Sequence, residues 1–362
     1  MTAFSASDHA HMAHALQLAA RGLHTTSPNP RVGCVLVRDG QVVGEGWHER
    51  AGEPHAEVHA LRQAGEAARG ATAYVTLEPC SHYGRTPPCA EALVKAGVAR
   101  VIAAMQDPNP LVAGKGLSLL QSQGIAVASG LMSSEARELN VGFVSRMERN
   151  RPWVRAKVAA SLDGRTALEN GVSQWITSPA ARRDGQQWRA RACAILTGMG
   201  TVLADNPKLN VRDFDIGRQP LRVVVDSKLR TPVDAAIVDG GVLIVCADDT
   251  LPQADILRKA GVELLCLPND NGSVDLPALM IELAKLGTNE LHLEAGPTLT
   301  GEMLRLRLID EFLLYLAPTL LGSSARGMFD IPALTAMDQR MDLEIVEVRN
   351  VGPDIRIRAR PR

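Results

Sequence analysis

The stretch Pro54-His55-Ala56-Glu57, read with Pro79-Cys80 and Pro88-Cys89, organises the first half of this 362-residue chain. It sets an imidazole and a carboxylate at one helix start. Two thiols follow from later segments, the second at another helix start, where Pro88 suits the first turn. Zinc is borderline-soft, and three protein ligands of this kind leave its fourth tetrahedral position open for an activated water. Both cysteines can be deprotonated by the metal and by the positive end of a helix. Glu57 stands two residues from His55, near such a metal without having to ligate it, so it can carry protons from water to a leaving amine.

His-x-Glu followed by Pro-Cys and a second Cys is the pattern of zinc deaminases that act on nucleobases, and it implies hydrolytic removal of ammonia from an amidine-like ring carbon. The chain departs from the short form of that pattern, because eight residues, Ser81 to Pro88, separate the cysteines where many deaminases have two. A loop this long can fold over the pocket and offer His82 and Arg85 to a substrate phosphate. His59 lies four residues after His55, but the order His-Glu-x-x-His of zinc proteases is missing, so His59 reads as structural. His9, His11 and His14 read as the exposed face of an N-terminal helix. Cys34, Cys193, Cys246 and Cys266 sit in apolar runs and read as small buried hydrophobes.

Outward from these motifs the pattern alternates. A helix is expected over residues 8–21, strands over 32–38 and 42–47 around an Asp39-Gly40 turn, and a helix over 55–67. Strands over 71–77 and 98–105 flank a helix opening near Pro88, and a helix-strand-helix stretch ends near Arg149. The polar segment Arg149-Asn150-Arg151-Pro152 marks a domain boundary. Beyond it, strand-like runs at 153–160, 193–197, 221–225, 242–246, 262–267, 290–294, 311–317 and 343–348 predict a sheet with several parallel strands and covering helices. One run leads into Glu294-Ala295-Gly296-Pro297-Thr298-Leu299-Thr300-Gly301 and then an apolar helix. That glycine turn either caps the helix or cradles a nucleotide phosphate on free amides. It lacks the central glycine of the dinucleotide fingerprint, which disfavours a standard Rossmann unit.

Composition narrows the function. Lys and Arg number 39 against 40 Asp and Glu, for a net charge of -1, and only 3% of residues are aromatic. No basic field exists to gather nucleic acid or an acidic membrane, and little is available for base stacking. No apolar run is long enough for a membrane helix, and the start of the chain lacks a secretion signal, so a cytoplasmic protein acting on a small molecule is expected.

Pro28-Asn29-Pro30-x-Val32-Gly33, Gly46-Trp47-His48, His55-Ala56-Glu57 and Glu78-Pro79-Cys80-Ser81-His82-Tyr83-Gly84-Arg85-Thr86-Pro87-Pro88-Cys89 together resemble the deaminase domain of the bifunctional riboflavin-biosynthesis deaminase-reductases. The resemblance continues through Ser161-Leu162-Asp163-Gly164-Arg165, Ser173-Gln174-Trp175-Ile176-Thr177-Ser178, Thr201-Val202-Leu203-Ala204-Asp205-Asn206-Pro207 and Glu294-Ala295-Gly296-Pro297-Thr298-Leu299. It implies an α/β protein with an N-terminal cytidine-deaminase-like three-layer domain over residues 1–148 and a C-terminal dihydrofolate-reductase-like domain over 149–362.

It further implies two consecutive reactions, deamination of 2,5-diamino-6-ribosylamino-pyrimidinone 5'-phosphate and then reduction of its ribosyl group to ribityl with NADPH. By matching motif, His55, Cys80 and Cys89 hold zinc and Glu57 shuttles protons. Asn29 and His48 line the pyrimidine pocket, with His82 and Arg85 at its periphery. The cofactor meets Ala159, Trp175, Thr201, Asp205, Ser227 and the turn Gly296, Pro297, Thr298, Leu299, Thr300, Gly301 and Glu302. The ribose phosphate meets Ser173, Arg189, Leu209, Arg212 and Glu294, where guanidinium forks suit phosphate oxygens. Hydride transfer to a ribosylamine imine needs a proton donor, for which Lys157, Asp163 and Glu294 are the ionisable candidates. A rival reading keeps the zinc site and makes the second domain a non-catalytic sensing or oligomerising module, which leaves the Asp205, Arg212 and Glu294 motifs without a use. A symmetric homo-oligomer, dimer or tetramer, is expected.

Overall fold

Alternating apolar runs and helices fold into two separate units, Met1–Asn150 and Arg151–Arg362, in the computed structural model, which describes residues 4–81, 88–110 and 112–362. His82 and Arg85 lie outside the described residues.

The first unit is built on strands β1 (Gly33–Arg38), β2 (Gln41–Trp47), β3 (Thr72–Val75), β4 (Arg100–Ala103) and β5 (Ala126–Ser129), in sheet order β2-β1-β3-β4-β5. β1 runs antiparallel to β2 and β3, and β3, β4 and β5 are parallel. The β1–β2 turn falls at Asp39-Gly40, whose φ angles of 51° and 76° are the left-handed pair that a two-residue hairpin needs. Its helices are α1 (Ala6–Ala20), α2 (Ala56–Ala64), α3 (Cys89–Ala96), α4 (Lys115–Ser122), α5 (Ser133–Leu139) and α6 (Val141–Arg149). β1 shows why there are three layers. Val35 and Val37 join Met12, Leu18 and Phe143 on one face of the sheet, while Cys34 and Leu36 join Ala60, Leu93 and Leu120 on the other. Ser5 and Asp8 close a capping box that starts α1.

Of the N-terminal histidines, His9 is exposed as expected, while His11 and His14 are less exposed than the sequence suggests. His14 pairs with Glu45 at 2.7 Å and His11 packs against Tyr74, so the face they occupy partly covers the sheet rather than standing free.

In the second unit the strands are β6 (Trp153–Ser161), β7 (Arg165–Ala167), β8 (Ala194–Gly198), β9 (Leu221–Val225), β10 (Leu243–Cys246), β11 (Glu263–Cys266), β12 (Glu290–Leu293), β13 (Glu311–Ala317), β14 (Arg326–Gly327), β15 (Leu343–Val351) and β16 (Asp354–Pro361). Nine of them form one sheet in the order β11-β10-β9-β8-β12-β6-β13-β16-β15. The run from β11 to β13 is parallel, and the β15–β16 hairpin adds an antiparallel edge. Helices α7 (Pro179–Arg191), α8 (Met199–Asp205), α9 (Pro252–Lys259), α10 (Leu276–Lys285) and α11 (Pro297–Arg305) complete the unit. Val154, Leu196, Leu243 and Leu293 pack on Leu279, Leu283 and Met303 to form the larger of its apolar cores.

β16 carries Arg356, Arg358 and Arg360 at alternate positions, facing buried carboxylates. Glu311 accepts from Arg155, Arg358 and Arg360, and Arg155, 1% exposed, also reaches Glu290 at 3.0 Å and stacks over Trp188. Although burial raises the Glu311 carboxyl, Arg155 and Arg358 outweigh it and hold the group at about 2. A folded pKa below the unfolded one adds stability that is complete above about pH 4.3 and is lost as pH falls toward 2. Glu311→Gln should therefore cost the second unit about 3–5 kcal/mol near neutral pH, since it leaves buried arginines short of charge. The penalty should shrink on acidification, as read from urea unfolding at several pH values. An equal penalty at all pH values would sink this account of the cluster.

Candidate functional site

Three segments of the first unit converge at the end of its sheet. His55 is the N-cap of α2, with Glu57 in the first turn; Cys80 follows β3, and Cys89 opens α3. A close fit sets α2 against the hairpin, for a side chain at Gly46 would run into Ala56 and His59. The His55 Nδ1 lies 3.6 Å from Cys80 Sγ and 3.4 Å from Cys89 Sγ, and the three ligand atoms sit within 4.8 Å of one another. The Cys89 amide donates to Cys80 Sγ at 3.3 Å, and the Ala90 amide donates to the Cys80 carbonyl, so the start of α3 holds the first thiol in place.

Electrostatics agree with a metal-binding donor set. Cys80 shares a hydrogen bond with the Cys89 thiol, which together with His55 brings it down to about 4, and the same bond with burial pushes Cys89 up. The Cys80 sulfur in turn raises His55. One proton shared by two adjacent thiols is what a thiophilic cation displaces. Glu57 is 3% exposed, and burial, followed by the neighbouring Cys80, raises its carboxyl to about 7. Its Oε2 finds no hydrogen-bond partner among the described residues. A buried carboxylate oxygen with nothing to bind suits a group that meets water or substrate.

Two further expected residues join this cluster. His48 Nδ1 lies 3.1 Å from the Pro54 carbonyl, so it carries the proton, and Nε2 accepts from the Asn29 amide at 3.1 Å. Burial keeps His48 below the usual imidazole range and its ring stands edge-on to His55, with centroids 5.3 Å apart. Asn29, His48, His55, Glu57, Cys80 and Cys89 thus occupy one place. The donor set fits zinc, with one imidazole, two thiols and, beside them, a carboxylate oxygen without a partner among the described residues. Replacing a soft thiolate by a hard hydroxyl, Cys80→Ser, should lower zinc retained after gel filtration from about one ion per chain to a small fraction. Metal analysis checks this, and full retention would remove Cys80 from the ligand set.

In the second unit the expected residues gather at the carboxyl ends of the parallel strands, the usual ligand edge of such sheets. Ala159 is near the end of β6, Thr201 and Asp205 are on α8 just after β8, Ser227 follows β9, and Glu294 to Gly296 follow β12. The Gly296 amide donates to Thr201 Oγ1 at 3.3 Å, joining two of these turns. Pro297 occupies the first turn of α11, with Thr298 and Leu299 next to it, and the Thr300 amide already bonds the Gly296 carbonyl. Ser227 accepts the Val274 amide at 3.1 Å. Trp175 is 70% exposed and lies under the Arg182 guanidinium at 4.4 Å.

Not every expected residue faces the same way. Leu209 buries its side chain in the core with Val202 and Ile237. Gly301 gives α11 its close approach to the Asp330 backbone, and Glu302 is paired with Arg305 at 2.6 Å. Ser173 is half-buried. Arg212 is exposed, and its amide donates to Gln186. Arg189 spends Nε and Nη2 on Glu294, at 2.5 and 2.9 Å, and Nη1 on the Asn210 carbonyl. That pair holds Glu294 well below the usual carboxylate range against the effect of burial, and burial lowers Lys157 next to it. Asp163 accepts from Ser161, Leu321 and Gly322, which marks it as a turn-holding group.

Residues 5–105 match the family described as cytidine and deoxycytidylate deaminase zinc-binding region, and residues 152–357 match the RibD C-terminal domain. A curated relative, riboflavin biosynthesis protein RibD of Escherichia coli strain K12, is 52% identical, covering 96% of this chain and 98% of its own. The protein of that name from Haemophilus influenzae is 46% identical over the whole of both chains. Among solved structures, Acinetobacter baumannii RibD (form 1) superposes with a TM-score of 0.92 at 48% identity, covering 98% of this chain and 99% of its own. A diaminohydroxyphosphoribosylaminopyrimidine deaminase/5-amino-6-(5-phosphoribosylamino)uracil reductase from Thermotoga maritima gives 0.87 at 30% identity, with 98% and 99% covered.

A cytidine-deaminase-like unit joined to a dihydrofolate-reductase-like unit defines a bifunctional deaminase-reductase. The chain belongs to the RibD family of riboflavin-biosynthesis proteins. Among the described residues no helix is long and apolar enough to cross a membrane.

Proposed function

We propose that residues 1–148 deaminate 2,5-diamino-6-ribosylamino-pyrimidinone 5'-phosphate at a zinc centre and that residues 149–362 then reduce the ribosyl group of the product with NADPH. The observation that carries this reading is the convergence of His55, Cys80 and Cys89 beside Oε2 of Glu57, which has no partner among the described residues.

His55 Nδ1 and the sulfurs of Cys80 and Cys89 hold zinc, which when bound supplies a Lewis acid that makes water a nucleophile at neutral pH. Glu57 takes the proton of that water at Oε2 and delivers it to the departing amine. Burial favours the protonated carboxyl between those two events, which keeps the proton available. His48 and Asn29, already bonded to each other, orient the pyrimidine, and His82 and Arg85 contact its periphery.

On the second unit, the first-turn amides of Thr298 and Leu299, with Gly296, Pro297, Thr300, Gly301 and Glu302 shaping the turn, receive the cofactor phosphates. Ala159, Trp175, Thr201, Asp205 and Ser227 line the rest of that edge. NADPH supplies the hydride. Arg212, whose side chain is exposed, binds the ribose phosphate with Ser173 and the backbone of Leu209 alongside, whereas Arg189 fixes Glu294. Lys157, half-buried beside Glu294, is the proton donor, because Asp163 is committed to its turn.

The protein works in the cytoplasm on this small molecule and assembles as a symmetric homo-oligomer, a reading supported by the exposed Leu343, Ile345 and Val348 of the edge strand β15. The test is loss of reduced-nicotinamide absorbance on adding deaminated substrate, run with NADPH and with NADH. Consumption of NADPH at a KM at least about tenfold below that for NADH supports the assignment. Consumption of neither would overturn the reductase half.

A further inference from the structure

Glu78 ends the segment that leads from β3 to the first thiol ligand, and it is 5% exposed. Its Oε2 accepts the amides of Asp107 and Gly114 at 3.1 and 2.9 Å, and its Oε1 accepts those of Gly116 and Leu117 at 2.8 and 3.3 Å. Gly116 and Leu117 lie in the first turn of α4, whose N-cap Gly114 offers no side chain and whose first turn holds no acidic residue. A helix start leaves amides unpaired and favours negative charge. Glu78 supplies both the acceptors and the charge from a different element.

The next residue completes the attachment. A Cβ on Gly116 would run into the Pro79 carbonyl oxygen, so α4 sits directly against the peptide between Glu78 and Cys80. The Glu78 amide donates to the Met105 carbonyl at 3.0 Å, which ties the same residue to the end of β4. Cys80 is therefore held from both sides, by the amides of α3 on its sulfur and carbonyl and by α4 through Glu78 and Pro79.

We infer that Glu78 is a positioning residue for the metal centre, fixing Cys80 Sγ at ligand distance from His55 and Cys89 by capping α4. This rests on the proposed assignment of zinc to His55, Cys80 and Cys89. Glu78 touches neither metal nor substrate. An amide in its place turns one acceptor oxygen into a donor that faces two N–H groups, so α4 detaches from the Pro79-Cys80 segment.

The experiment compares the rate of zinc transfer from the loaded full-length protein to a chromophoric chelator. Glu78→Gln should release zinc about 10- to 100-fold faster than the wild type, the range found when outer groups that orient ligands are removed. Gly116→Ala, which pushes α4 from Pro79 with the carboxylate intact, should also accelerate release. The control is Tyr74→Phe, which removes the buried hydrogen bond from Tyr74 to Asp8 and should lower the melting temperature while leaving the release rate within about twofold. Reductase activity should be unchanged in all three, since the second unit is untouched. Release by Glu78→Gln at the wild-type rate, or equal acceleration by Tyr74→Phe, would overturn the positioning role. A wild type that takes up no zinc at all would overturn the ligand assignment beneath it.

Discussion

Glu57→Gln should lower the deamination rate about 10²- to 10⁴-fold, the range attributed to a positioned acid-base group, while zinc content and reductase activity stay at wild-type values. Glutamine preserves the volume and leaves His55, Cys80 and Cys89 in place, so the metal centre loses none of its three donors. What disappears is the capacity to hold a proton at Oε2, the buried oxygen that has no other partner among the described residues. Ammonia release, metal content and reduction of pre-deaminated substrate, measured on one preparation, separate these effects. Loss of zinc together with activity would make Glu57 a structural support of the centre. Loss of reduction as well would contradict two independent sites.

The largest effect in the second unit should come from Arg189→Met. Arg189 and Glu294 are 13% and 14% exposed at their side chains and make a two-pronged pair. Removing the guanidinium leaves Glu294 with Lys157 and with His292, whose Nε2 is 3.2 Å away. An orphaned buried charge costs about 3–5 kcal/mol, so the unfolding transition of the second unit should move to lower denaturant by a corresponding amount. Reduction should fall by roughly 30-fold to several thousand-fold, because displacing a charge at a substrate edge loses about 2–5 kcal/mol and each 1.4 kcal/mol is tenfold. Deamination by the same protein should be unaltered. An active, equally stable Arg189→Met variant would show that the pair does nothing for the cofactor edge.

The metal centre was legible in the sequence because its chemistry depends on residue types that have few other uses together. One histidine and two cysteines, each at a helix start or just past a strand, leave few alternatives to a metal. The place of Asn29 and His48 in the pocket depends on resemblance, and their hydrogen bond to each other is not legible, since no local pattern tells which nitrogen of an imidazole is free. Long-range charge pairing was hidden for a related reason. Arg189 and Glu294 are 105 positions apart, and the resemblance puts each at the ribose phosphate without pairing them. Strand β16 is hidden in the sequence because Arg356, Arg358 and Arg360 look like a solvated charge run, whereas their partners Asp184 and Glu311 come from distant segments and Glu347 from the neighbouring strand of the hairpin. The role of Glu78 was invisible as well. Its position before Pro79-Cys80 says nothing of four amides that arrive from residues 107–117.

Two chemistries in a fixed order are the central claim, and product mass measures them directly. The zinc-loaded protein is given the diaminopyrimidine ribosylamino phosphate with and without NADPH. Deaminated product alone without NADPH, and a deaminated ribityl product with it, is the predicted result. Deaminated product in both samples would contradict the reductase assignment, and unchanged substrate in both would contradict the deaminase assignment from which the rest follows.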